Sequence, residues 1–289
     1  MERVIRIALI AGLWCATAAA AAPAGYDGVI VPTGDAVPTG ECFMVTDAFG
    51  GTYADAEKDP YDGDDDLMCW AATAANILHW TGWSRVDDGT GHVLADADAI
   101  FDTFVDHWTD AGGMMNAAWD WWFDGTNPTQ GFAGWSQVDV PGGGFYPDVD
   151  FKDHYVRFRE PSNLLYGIDM LLQHGYGVGA AIYRPKPDGG LYGHALTVWG
   201  INVLDGDYVG LWVTDSDDAK SMPDPPDQLR YYAVSDAGGR WYLQDFGSTD
   251  TWYLGLVDGL AMVPEPSTAA LLGVCAAVAT PRRRRKNAA

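Results

Sequence analysis

The sequence contains one strong candidate nucleophile, a cysteine at the start of a predicted helix. Cys69 follows Asp64–Asp66 and precedes a run of small and apolar residues that Thr81-Gly82 brings to a stop. This run lacks proline, glycine and charge, which predicts a buried helix over 67–80 with the aspartates as cap and first-turn residues. The helix dipole and the unpaired N–H groups of a first turn favour the nucleophilic thiolate. The neighbouring aspartates disfavour the thiolate by like-charge repulsion, so a cationic partner such as an imidazolium is needed to stabilise it.

Among the six histidines of the chain, His194 is the best candidate for that partner. His79 lies on the same helix as Cys69, about 15 Å further along its axis, which is too far away. His194 begins one predicted strand and Asp215 closes the next. A hairpin that turns near 205–206 pairs positions summing to about 410, so these two side chains come close. A carboxylate in that place holds the tautomer of an imidazole. Taken alone, His194 is better explained as a half-buried strand residue, and Asp215–Asp218 as a polar turn or a calcium loop.

A second interpretation of Cys69 is a disulfide. Cys15 and Cys275 lie in the terminal segments, which leaves Cys42 and Cys69 in the body of the chain. Two cysteines in an oxidising compartment favour pairing, and pairing would remove the thiol chemistry. Lys58 likewise has two interpretations, as a solvated surface lysine or as an electropositive donor near the sulfur.

The elements that must position these residues are helices in the first half of the chain and strands in the second. This order predicts an α+β fold with an antiparallel sheet. On the helix of Cys69, the small residues at helical spacing would let a strand approach closely. Those residues are Ala72, Thr73, Asn76 and Ile77. The predicted helices after 67–80 cover 95–110, 114–122 and 160–174, and the predicted strands cover 178–183, 193–201, 208–218, 229–235, 240–245 and 252–263. Before the helix of Cys69, the Gly, Pro, Asp and Thr residues of 25–66 predict an irregular arm with short strand-like pieces such as 29–31.

Composition and charge limit the classes of function. The chain has 289 residues, of which 48% are apolar, and it carries a formal net charge of −23. This predicts one domain with an ample core, and it excludes a nucleic-acid partner because the middle of the chain has no basic stripe. The acids suit a solvated extracellular surface, and simple solubility explains them more readily than bound calcium does. For Asp62–Asp66 both calcium coordination and helix capping stay open.

Both ends of the chain have the features of targeting segments. Residues 1–24 combine early arginines, an apolar run and small residues at Ala20–Ala22, as in a secretory signal peptide. Residues 263–289 contain Pro264-Glu265-Pro266, a short apolar run and an arginine cluster. This tail resembles the PEP-CTERM sorting signal. The resemblance implies transient membrane association, recognition by an exosortase, and release to the cell surface or the extracellular polysaccharide matrix.

Two blocks of the sequence together resemble the IdeS/Mac family of secreted bacterial cysteine endopeptidases. The first block is Asp65 to Trp80, and the second is Gly193 to Gly200 followed by Val213 to Asp217. The resemblance implies a papain-like fold over 25–262, with Cys69 as the nucleophile and His194 as the general acid and base. It further implies that Asp215 orients the imidazole, that Asp217 is a supporting acid and that Lys58 is an oxyanion-hole donor, one residue out of the ungapped register.

The sequence therefore predicts a secreted, monomeric cysteine endopeptidase that acts on a protein or peptide substrate through a thioester, without metal or cofactor. The alternative is a non-enzymatic, calcium-binding matrix protein with a Cys42–Cys69 disulfide.

Overall fold

The computed structural model describes residues 29–34, 37–59, 63–84, 96–125, 142–217, 227–247 and 251–264. Two short 3-10 turns, Phe151–Asp153 and Pro161–Asn163, join the regular elements. The helices are α1 (Val45–Phe49), α2 (Cys69–Thr81), α3 (Ala97–His107), α4 (Met115–Asp124) and α5 (Leu164–Gln173). The strands are β1 (Val29–Pro32), β2 (Glu41–Met44), β3 (Tyr155–Phe158), β4 (Tyr176–Pro185), β5 (Leu191–Leu204), β6 (Asp207–Thr214), β7 (Gln228–Asp236), β8 (Trp241–Leu243) and β9 (Tyr253–Ala261).

All nine strands belong to one curled sheet. Its main path runs β1-β7-β6-β5-β4-β9-β3, and every neighbouring pair is antiparallel except β1 with β7. The short strand β8 pairs with both β7 and β9, so six strands form a ring that closes through β8. The long strand β5 pairs with β4 through its first half and with β2 through its second half. The antiparallel sheet of an α+β fold is confirmed.

The predicted order of helices first and strands second is only partly right. The strand-like piece at Val29–Val31 becomes β1, but β2 and α1, which follow it, were not foreseen. The segment 25–66 was predicted to be an irregular arm because its glycines, prolines and aspartates have weak strand propensity. Glu41–Met44 nevertheless forms a strand, because it pairs with β5 and the hydrogen bonds of that pairing outweigh the weak local propensity.

Helix α2 is the central buried helix, and its small face lies against the sheet as predicted. A Cβ atom added to Gly179 of β4 would lie 3.1 Å from Cγ2 of Thr73, and one at Gly177 would lie 2.7 Å from Cγ2 of Ile77. Asn76 ties the helix to two other segments. Its amide donates to Oγ1 of Thr197 at 3.0 Å, and its oxygen accepts from the backbone N–H of Ala56 at 2.8 Å.

The predicted capping role of Asp64–Asp66 is wrong. The helix starts at Cys69 rather than 67, and its N-cap is Met68, which makes no side-chain cap hydrogen bond. Asp65 instead accepts the backbone N–H of Asp59 at 2.8 Å and is buried. Asp65 therefore stabilises the turn that precedes the helix of Cys69.

The aromatic residues of α3 and α4 form part of the core. The two helices pack their apolar faces beside α2, and two indole N–H groups of α4 donate to backbone carbonyls. Trp119 donates to Ala74, and Trp122 donates to Trp83. The fully buried side chains of this layer include Ile100, Phe104, Trp119, Trp121, Trp122 and Phe123.

Several sequence predictions fall outside the described residues. The predicted signal peptide at 1–24 and most of the sorting tail, including Glu265 and Pro266, belong to this group, whereas Pro264 ends the last described segment. Within the described segments, no helix has the length and apolar character needed to cross a membrane.

Candidate active site

Cys69 is the first residue of α2, at the edge of a cleft of about 640 Å³. Met68, which precedes it, is held by a backbone hydrogen bond from its N–H to the carbonyl of Asp65 at 2.8 Å. The thiol is partly buried and faces the end of the sheet where β5 begins. The positive end of the helix dipole lies beside it.

His194 of β5 reaches the same cleft and pairs with Asp215. Strands β5 and β6 pair in the register Thr197↔Thr214, in which the position numbers sum to about 410 as the hairpin predicted. This register brings Asp215, the residue after β6, next to His194. Nε2 of His194 lies 2.6 Å from Oδ1 of Asp215. The same carboxylate oxygen accepts the backbone N–H of Asp217 at 3.0 Å, which fixes its orientation.

Cys69 and His194 lie close enough for their side chains to interact by charge and hydrogen bonding. Because Nε2 is occupied by Asp215, Nδ1 is the atom that serves the thiol. Folding thus brings together a sulfur from the first half of the chain and an imidazole from the second.

The electrostatics of this cluster favour a thiolate and an imidazolium. Burial raises the pKa of the Cys69 thiol, but the charge and hydrogen bond of His194, and then the charge of Lys58, lower it below the ordinary value of 9.0. Burial lowers the pKa of His194, but Asp215 and the sulfur hold it well above 6.5. Burial likewise opposes ionisation of Asp215, and His194 outweighs this and lowers its pKa.

Lys58 lies in the cleft rather than on the surface. Its ammonium contacts Oδ1 of Asp217 at 2.6 Å and donates to the carbonyl of Asp66 at 2.7 Å, and its side chain is only 2% exposed. The backbone N–H of Lys58 donates to the carbonyl of Ser216 at 3.2 Å. The turn at 215–217 therefore anchors both the main chain and the side chain of Lys58. Two of its three N–H donors are occupied by described groups, which leaves one for a ligand in the cleft.

Within the site, the main contact of Asp217 is with Lys58 rather than with His194. Its Oδ2 lies 3.9 Å from Nδ1 of His194, a weak contact compared with the 2.6 Å that separates its Oδ1 from Lys58. The five predicted site residues thus converge on one cleft.

Sequence reasoning missed the aromatic wall on the histidine side of the cleft. The rings of Phe246 and Trp252 lie 6.0 and 6.4 Å from the imidazole, and Tyr232 continues the wall 5.0 Å from Phe246. These residues come from β7 and from the segment that joins β8 to β9. No local pattern marks them, because only the closed ring of strands brings the segment between β8 and β9 close to His194.

The predicted disulfide alternative is wrong, since Cys42 and Cys69 are both free thiols. Cys42 lies on β2 near Trp212 and Asp47. The described residues hold no group of three or more histidines, cysteines or acids that could bind a metal ion. Asp62 and Asp218, at the edges of the two predicted calcium loops, lie outside those residues.

No protein-family model matches the sequence, and no curated protein matches it at a significant level. The geometry of the cleft is therefore the basis on which a function is proposed.

Proposed function

We propose that the chain is a cysteine endopeptidase that hydrolyses peptide bonds through Cys69, His194 and Asp215. The observation that carries the proposal is that the thiol, the imidazole and the carboxylate line one cleft, with the imidazole bound to the carboxylate at 2.6 Å and close enough to the thiol to shift its pKa. This is the arrangement of an activated nucleophile, in which the base next to the nucleophile is oriented by a third group. The shifted pKa values of all three members favour a chemical role.

In the first half of the proposed reaction, the thiolate of Cys69 attacks the peptide carbonyl and forms a C–S bond. The negative charge that develops on the oxygen is stabilised by the backbone N–H of Cys69 and by the remaining N–H of Lys58. When the C–N bond breaks, Nδ1 of His194 gives its proton to the leaving amine. The product of this half is a thioester and a free amine.

In the second half, His194 accepts a proton from water as the water oxygen attacks the thioester. The C–S bond then breaks and the acid product leaves, which restores the thiolate and the imidazolium. Asp215 stabilises the imidazolium throughout without taking its proton.

We further propose that the fold is papain-like and that the chain is related to the IdeS/Mac endopeptidases. The support is the buried helix that carries the nucleophile at its N-terminus and packs on a curled antiparallel sheet that carries the histidine. The cleft at their junction has a volume of about 640 Å³. The proposed domain covers 25–262 and acts as a monomer.

The proposed route of export depends on the sequence motifs alone. Residues 1–24 would direct secretion, and Pro264-Glu265-Pro266 with the tail after it would be read by an exosortase during a transient membrane association. The mature protein would then reside at the cell surface or in the polysaccharide matrix. Mass spectrometry of the secreted protein tests this, because processing would leave a mature C-terminus near residue 264.

The decisive experiment for the activity compares the wild type with Cys69→Ala on a mixed peptide library. We expect new amino termini with the wild type only. If neither protein cleaves any peptide, or if both cleave equally, the proposal is wrong. A primary amine added to the reaction separates hydrolysis from acyl transfer, because a transferase would attach the amine to the acyl fragment.

A further inference from the structure

Two cations are stacked on aromatic rings that line the cleft. The guanidinium carbon of Arg184 lies 4.5 Å from the ring centre of Tyr192 and 5.0 Å from that of Trp252. The ammonium of Lys186 lies 4.8 Å from the same tyrosine ring. Both rings line the cleft, and the indole belongs to the wall beside the imidazole of His194. We call this group, Arg184, Lys186, Tyr192 and Trp252, the cationic rim.

The position of these cations is unusual in so acidic a protein. Only ten lysines and arginines occur between residues 25 and 264, against 38 aspartates and glutamates. Yet within the described residues neither Arg184 nor Lys186 forms an ion pair. The Nε atom of Arg184 is buried and has no hydrogen-bond acceptor in the described part of the chain. A buried N–H without an acceptor is costly, and an acceptor from a ligand would relieve that cost.

The rim lies on one side of the scissile bond. In the proposed reaction His194 protonates the leaving amine, so the leaving segment must pass on the imidazole side of the sulfur. Trp252 and Phe246 flank the imidazole on that side. A peptide that leaves along this wall reaches the guanidinium behind Trp252. The chain carries a formal net charge of −23, which repels anionic chains, so a pair of cations beside the cleft is a local exception.

We propose that the cationic rim selects peptide substrates with an acidic residue C-terminal to the scissile bond. This inference rests on the proposed function and names the substrate class of the same site. The aromatic rings hold the two cations in place, so less side-chain entropy is lost when a carboxylate binds. The carboxylate accepts hydrogen bonds from the guanidinium and contacts the ammonium.

The test is the cleavage profile of a randomised peptide library, read by mass spectrometry. We expect aspartate and glutamate to be enriched about fivefold at one or more positions after the cut, because an exposed ion pair has about that effect. The double variant Arg184→Gln/Lys186→Gln loses the enrichment, measured as the ratio of cleavage of a Glu peptide to cleavage of its Gln counterpart. The matched control is Arg240→Gln, whose guanidinium stacks on Tyr253 at 4.6 Å, a ring that is not among the cleft residues. It keeps the enrichment. Higher salt weakens the preference.

Three results would overturn the inference: no acidic enrichment, enrichment that survives in the double variant, or enrichment before the cut. If the wild type cleaves no peptide at all, the result counts against the proposed function instead. In that case, binding of two peptides that differ only by Glu and Gln is measured on the wild type and the double variant. Equal binding of both peptides to the wild type then refutes the rim as an acid-recognising surface. An acidic polysaccharide that binds the wild type more tightly than the Glu peptide does would show that the rim serves another ligand.

Discussion

Asp215 offers a substitution that separates charge from geometry at the proposed active site. In the wild type, Nε2 of His194 lies 2.6 Å from Oδ1 of Asp215. In Asp215→Asn the side-chain oxygen can still accept this N–H, but the negative charge is gone. A hydrogen bond to a charged partner contributes about 1.5–3 kcal/mol, whereas a neutral one contributes about 0.5–1.5 kcal/mol. The loss is therefore about 1–1.5 kcal/mol, which corresponds to about a tenfold decrease in kcat/KM.

The same substitution has a predictable effect on the pH profile. Asp215 is one of the groups that raise the pKa of His194 above 6.5. The reactive form needs the proton on His194, so activity falls as pH rises through the pKa of that imidazole. Without the carboxylate this basic limb moves to lower pH, by about one unit for a loss of 1.4 kcal/mol. Because thiol and imidazole titrate as a coupled pair, the profile reports the pair rather than either group alone.

The assay is the pH dependence of kcat/KM for the wild type, Asp215→Asn and Asp215→Ala. The alanine variant loses the orienting bond and leaves a buried N–H without an acceptor, so we expect a loss of roughly a hundredfold or more. Asp207→Asn is the control, because Asp207 is exposed at the start of the strand that ends before Asp215. Equal effects of Asn and Ala, or an unmoved basic limb in Asp215→Asn, would refute the orienting role.

Three further predictions follow from individual contacts. Lys58→Met should lower kcat about a hundredfold with little change in KM, since one donor to the developing oxyanion is lost; an unchanged kcat would remove Lys58 from the site. Asn76→Leu should destabilise the fold by about 2–3 kcal/mol in urea unfolding, because it orphans the buried N–H of Ala56 and the hydroxyl of Thr197; a difference below the error of the measurement would contradict this. Asp258→Ala should cost about 3–5 kcal/mol, because Asp258 is fully buried and accepts Nε of Arg157 at 2.6 Å and the hydroxyl of Tyr155 at 2.8 Å. Thiol labelling of Cys69 should survive this last substitution below the unfolding transition, which separates a structural role from a chemical one.

The parts of the fold that the sequence predicted are those with a strong local period. The helix of Cys69, the apolar faces of α3 and α5, and the strands from β4 onward were recognised with boundaries within a few residues. The hairpin between β5 and β6 also allowed the proximity of His194 and Asp215 to be predicted, because an antiparallel register is fixed by its turn.

The parts that could not be predicted depend on contacts between distant segments. Lys58 sits in an extended stretch with no regular pattern, and its place in the cleft is set by the turn at 215–217. Strand β2 forms only because β5 is long enough to extend past β4. The wall of Phe246 and Trp252 depends on ring closure through β8, which a single residue pair with β9 completes. None of these long-range pairings has a local signature.

The most direct test of the central claim is the rate at which iodoacetamide alkylates each cysteine near pH 6, mapped by mass spectrometry. The account predicts that Cys69 reacts at least about tenfold faster than Cys42, because the imidazolium of His194 keeps the sulfur ionised at a pH where an ordinary thiol is protonated. His194→Ala should abolish that advantage. Equal rates at the two cysteines in the wild type, or an advantage that persists without the imidazole, would contradict the proposed thiolate–imidazolium pair.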